Sequence, residues 1–153
     1  MNKITSIILT SVFVIVPVLA NQSEQDYSTA QPKVRFAPLH IYIDSGNKSL
    51  AAYQFELKTT AGQIEIVGVE GGSHEAFKEA PYYDKAARLK DRIIIAAFNT
   101  GQDLPTGRTR IATIHLQIIG DVEPEYKLEL NVVADADGKE IPAEISFEKG
   151  EIK

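Results

Sequence analysis

Residues 53–58 read Tyr-Gln-Phe-Glu-Leu-Lys, with Tyr53, Phe55 and Leu57 alternating strictly against Gln54, Glu56 and Lys58. In an extended chain successive side chains point to opposite faces, so this period of two predicts a strand with one greasy face and one wet face. Residues 112–118 repeat the pattern, with Ala112, Ile114, Leu116 and Ile118 set against Thr113, His115 and Gln117. Half-buried strands of this kind pair in antiparallel sheets that pack on one side only.

Working outward, the same alternation predicts strands at Leu39, Ile41 and Ile43, at Leu128, Leu130 and Val132, and at Ile141, Ala143, Ile145 and Phe147. Ile64–Val69 reads as a strand ended by Gly71 and Gly72, where paired glycines favour an abrupt change of direction. Arg92–Phe98 holds three isoleucines in succession, Ile93, Ile94 and Ile95, which predicts a central strand apolar on both faces. Turn signals separate these runs: Asp-Ser-Gly-Asn after Ile43, Thr59–Gly62, and Asp135-Ala136-Asp137-Gly138 as a hairpin turn between the last two strands. The segment His74–Lys90 is the least regular, with room for one or two helical turns. The fold class is therefore all-β, an antiparallel sandwich with one loop-rich, part-helical insertion.

The first residues have a different character. Lys3, an apolar run from Ile7 to Leu19, and Ala20 form the layout of a secretory signal peptide, with cleavage expected before Asn21. The run is shorter than the roughly 20 residues that span a bilayer, and Pro17 interrupts it. The expected organisation is a signal peptide over 1–20, a polar leader over 21–33 and one domain over 34–153. The expected location is secreted or periplasmic, free of the membrane after cleavage.

Composition narrows the function classes. The chain has no cysteine, which excludes disulfides, thiol chemistry and thiolate metal sites. Its net charge is −5, and losing Lys3 with the signal makes it −6. The bases are scattered among acids, so no nucleic-acid partner is expected.

Three stretches, in order, resemble the cohesin-type domain, the β-sandwich by which bacterial cellulosome scaffolds hold dockerin modules. They are AAYQFELKTTAGQIEIVGVEGG (51–72), IIIAAFNTGQDLPTGRTRIATIHLQIIG (93–120) and VVADADGKEIPAEISFEKGEIK (132–153). The resemblance implies a cohesin-like sandwich that binds a protein partner, dockerin-like, through an exposed sheet face. Since the superfamily also holds carbohydrate-binding modules, a polysaccharide is the second implied ligand. By family position the contact residue is Gln54, on the outward face beside Ala52 and Glu56.

Tyr82 and Tyr83, beside Pro81, can stack on a sugar or anchor a protein interface, while either ring can instead cover the end of the core. Asp135, Asp137 and Gly138 resemble the start of a calcium loop, but Ser146 stands where the closing Glu belongs, and a hairpin turn is the simpler account. His40, His74 and His115 sit in settings without a nucleophile and an orienting acid, Ser73 beside His74 being the one pairing of interest. A non-catalytic binding module without a metal or cofactor follows. An accessory polysaccharide hydrolase or lyase, with an acid pair in 73–90, is the third reading.

Overall fold

The computed structural model describes residues 32–88 and 90–151. The signal peptide expected over 1–20 lies outside the described residues, as does the leader up to residue 31. Two four-stranded antiparallel sheets pack face to face. Sheet A contains β3 (Gln63–Gly71), β6 (Arg108–Ile119), β1 (Val34–Asp44) and β8 (Glu144–Lys149), in that order. Sheet B runs β4 (Tyr82–Tyr83), β5 (Arg92–Phe98), β2 (Ala52–Ala61) and β7 (Glu125–Ala134). No helix among the described residues is long and apolar enough to cross a membrane.

Alternation places the core. Tyr53, Phe55 and Leu57 of β2 and Ile93 and Ile95 of β5 are buried against Leu39, Ile41 and Ile43 of β1 and Ile114, Leu116 and Ile118 of β6. Each such side chain contributes about 1.5–3 kcal/mol on leaving water. Tyr53 also ties the two sheets together. Its hydroxyl donates to the carbonyl of Ile111 at 3.1 Å, and its ring meets Phe77 edge-on with centroids 5.1 Å apart. Ile111 is the extra residue of a bulge in β6, where Ile41 pairs with Ala112 but Tyr42 pairs with Arg110.

Several expectations are corrected in detail. The first strand begins at Val34, upstream of the alternating run at Leu39, and runs through Pro38. The second ladder, to β8, starts only at Leu39, with the Gly150 amide donating to the Pro38 carbonyl at 2.8 Å just beyond it, so Pro38 sits at the end of that ladder, where its missing N–H is tolerated. The turn predicted from Thr59 contracts to Gly62 alone, at φ +79°, where the chain leaves sheet B for sheet A. Thr59 itself is buried in β2.

Gly71 and Gly72 do mark the end of β3, but for a packing reason. A Cβ on Gly71 would lie 2.0 Å from the carbonyl oxygen of Lys78, and one on Gly72 would lie 2.2 Å from that of Arg110. The Asp135–Gly138 turn forms, closed by Asp135 Oδ1 accepting from the amides of Asp137 and Lys139, with Gly138 at φ +76°. It does not make a continuous hairpin. After one bridge, Ala134 to Glu140, the chain crosses over, and β7 and β8 lie in different sheets.

The insertion between β3 and β5 holds two 3-10 turns, Glu75–Phe77 and Lys85–Ala87, with the two-residue β4 between them. His74 Nδ1 caps the first by accepting from the Ala76 amide at 3.2 Å, and Asp84 caps the second through the Ala86 amide at 2.9 Å. Phe77 is buried under Tyr53, which pins this segment against one end of sheet B.

Candidate functional site

Register fixes what the outer face of sheet B presents. Tyr82, Ala96, Gln54 and Val132 stand side by side across four strands. On one side of that row Phe98 stands opposite Ala52. On the other come Ile94, Glu56 and Glu129, then Arg92, Lys58 and Lys127. One end of the face is therefore apolar and the other charged.

The apolar end is open to water. Tyr82 and Phe98 are each 80 % exposed, Val132 48 % and Ile94 41 %. Seven large apolar residues are exposed among those described, and these four share one face, which makes it a patch rather than scatter. Together with a wall formed by the segment from Ala76 to Pro81, the row encloses a groove of about 510 Å³. The wall is held from both sides: Asn99 Nδ2 donates to the Ala76 carbonyl at 2.9 Å, and Gly72 N donates to the Phe77 carbonyl at 2.7 Å.

Of the residues singled out from sequence, Ala52, Gln54 and Tyr82 line this groove. Gln54 is the polar group at the middle of an otherwise apolar row. Glu56 is on the same face but is engaged, its carboxylate accepting from Arg92 Nε at 2.6 Å and Nη2 at 2.7 Å. That bidentate hydrogen bond, before the pull of Arg92, Lys58 and Lys127 as charges, holds the Glu56 carboxyl below the usual carboxylate range. Tyr83 points the other way and packs on the core, so it is no part of the face.

The hydrophobic pattern does not mark Val132 and Ile94 as surface residues. Ile94 sits in a run that reads as buried on both sides, yet the outer face of sheet B is uncovered and only Ile93 and Ile95 turn inward. Val132 belongs by alternation with the inward Leu128 and Leu130. A bulge overturns this: Phe55 pairs with Leu130 but Gln54 with Val132, leaving Asn131 extra, so Val132 turns outward and Val133 is buried instead. No sequence signal marks that bulge. Phe98 was legible in principle, since it follows Ile94 and Ala96 on one face.

A second concavity, about 680 Å³, lies on the outer face of sheet A among Phe36, Pro38, Gly68 and His115, with Glu70 and Glu151 at its mouth. His115 Nε2 contacts Glu70 Oε1 at 3.1 Å without the alignment of a hydrogen bond. His40 Nδ1 lies 3.0 Å from Thr113 Oγ1. Ser73 Oγ reaches the Arg110 carbonyl at 3.5 Å while His74 serves as a cap, so this pair does not form a nucleophile and base. Among the described residues no three His, Asp or Glu side chains converge as a metal site. The sheet B groove concentrates the exposed aromatic and aliphatic side chains and is the candidate site.

Comparison of the chain with protein-family models, with curated proteins and with solved structures finds no match. What fold and surface define by themselves is a class: an antiparallel β-sandwich with an apolar groove on the outer face of one sheet.

Proposed function

We propose that this chain is an exported, non-catalytic binding module of cohesin-like type that recognises a protein partner through the outer face of sheet B. One observation carries the reading: Tyr82, Phe98, Val132 and Ile94 are exposed together around Gln54. Aromatic and aliphatic anchors around a single central hydrogen-bonding group match the core of a protein interface, with charged residues kept to the rim.

The exposed pair Tyr82 and Phe98 also favours a second reading, a carbohydrate-binding module, because a flat ring stacks on a sugar. The surroundings weigh against it. Sugars need several hydrogen-bonding side chains beside the rings, and here Ala52, Ala96 and Val132 stand next to the rings, with Gln54, Glu79 and the Tyr82 hydroxyl as the polar groups of the lining.

Capture with the purified protein on extracts of its source, paired with affinity electrophoresis over a polysaccharide panel, separates the two. The wild type is expected to retain a protein, and Phe98→Ala or Val132→Glu to weaken that complex by about 30-fold or more, the loss typical of a central anchor. Retardation by a glycan with no protein retained would assign the groove to carbohydrate.

A further inference from the structure

We propose that the partner seated in the sheet B groove carries an acidic flank, one or more Asp or Glu side chains beside its apolar anchors, that lies over Lys58. The inference rests on the protein-binding reading of the groove and specifies the chemistry of the partner.

The register supplies the reason. Arg92, Lys58 and Lys127 stand directly opposite one another on three adjacent strands. Like charges in this position repel and destabilise the sheet. Two of the three are answered within the chain. Arg92 takes both oxygens of Glu56, and Lys127 pairs with Glu129. Lys58, between them and exposed, acts on Glu56 only as a charge and makes no ion pair of its own among the described residues.

An uncharged residue at position 58 would pack as well on this wet face and avoid the repulsion. A cation there is understandable if a carboxylate from outside completes the row. Lys58 is four residues along β2 from Gln54, which places it roughly 14 Å from the centre of the groove at about 3.4 Å per residue. That distance lies within the reach of a single docked segment. The protein as a whole carries a net charge of −5, so this row is a local exception. An acidic group repelled elsewhere would be steered to it.

The test uses the partner captured by the purified protein. A carbodiimide joins a lysine amine to a carboxyl as an amide with loss of water, and the cross-link is expected to map to Lys58. Affinity is expected to fall as salt rises from about 0.05 to 0.5 M, where screening shortens to a few ångströms. Lys58→Glu is expected to weaken binding by about tenfold, and Lys58→Arg to retain it. The same Lys58→Glu change places a negative charge between two cations, so the thermal midpoint should hold or rise while binding falls. A residue with a merely structural role would lose both together.

If Phe98→Ala abolishes capture while Lys58→Glu binds like wild type and no cross-link reaches Lys58, the acidic flank is overturned and the groove stands. If neither variant alters retention, or if only a glycan is retained, the protein-binding reading falls and takes this inference with it.

Discussion

At the scale of the residue, Tyr53 does two jobs that the sequence separates poorly. Its position in the run Tyr-Gln-Phe-Glu-Leu-Lys announces an inward ring, and the structure buries it. Its hydroxyl is another matter. Nothing in the alternation says that a bulge at Ile111 will aim a carbonyl across the sandwich to receive it. Tyr53→Phe leaves that carbonyl with one partner fewer and is expected to cost about 1 kcal/mol in urea denaturation. Phe55→Ala, which empties a fully buried site without touching a hydrogen bond, should cost about 3–5 kcal/mol. Equal losses for the two would mean that the hydroxyl counts for as much as a packed ring at this layer. The same burial raises the Tyr53 phenol well above its ordinary value and pushes Tyr126 up to about 12. A group whose folded value is raised stabilises below its unfolded value of 10.0 and loses that contribution as pH climbs further, so alkaline unfolding should begin above about pH 10.

At the scale of the element, alternation located five of the eight strands among the described residues, because a core needs only that every second residue be apolar, and the apolar runs at Ile64–Val69 and Arg92–Phe98 located two more. It missed β4, two residues long, since a run that short carries no period. It also misassigned what depends on irregularity. The bulge at Asn131 moves Val132 into the groove, and the crossovers at Gly62 and after Ala134 send neighbouring strands to opposite sheets. Such features turn on one backbone residue and its hydrogen-bond partners, which the hydrophobic pattern does not encode. The candidate site was legible to the same degree. Gln54 and Ala52 follow from the alternating strand and Tyr82 from its place beside Pro81, but what sets them side by side with Val132 is the pairing of β4 and the bulge. Gly71 offers a check on how the wall of that site is held. Gly71→Ala sets a Cβ against the Lys78 backbone and is expected to destabilise by about 1–3 kcal/mol and loosen the segment 76–81, seen as faster amide exchange there. Gly68→Ala on the same strand meets His115 only at 3.8 Å and should be neutral or slightly stabilising. If the two substitutions behave alike, the close approach at Gly71 is not what shapes the wall.

At the scale of the whole molecule, ion pairs knit strands that lie far apart in sequence, and their carboxylates set how the protein responds to acid. Glu123 accepts from Lys149 at 2.7 Å and contacts Arg35 at 3.1 Å, joining the turn before β7 to both β8 and β1. Arg108 lies 3.7 Å above the ring of Tyr42 and reaches Glu148 at 2.7 Å, so β6, β1 and β8 are clasped on the outer face of sheet A. Glu56 and Arg92 do the same across β2 and β5. In each case a hydrogen bond from the cation is the first cause that holds the carboxyl below its ordinary 4.5: from Arg92 on Glu56, from Lys149 on Glu123 and from Arg108 on Glu148. A carboxyl depressed in the folded state contributes stability above its unfolded value and loses it as pH falls through the folded one, because the unfolded chain takes up the proton first. The thermal midpoint should therefore be level from about pH 8 to 5.5 and fall below about pH 4.5. Replacing Glu56, Glu123 and Glu148 together by Gln should lower the midpoint slightly at pH 7, since exposed pairs are individually weak, and make the acid fall shallower. Adding about 1 M salt should narrow the gap between wild type and variant at neutral pH by screening the pairs that differ between them. A variant that unfolds as steeply in acid as the wild type would show that these clasps do not govern the response, and would move the cause to the acids that make no such pair.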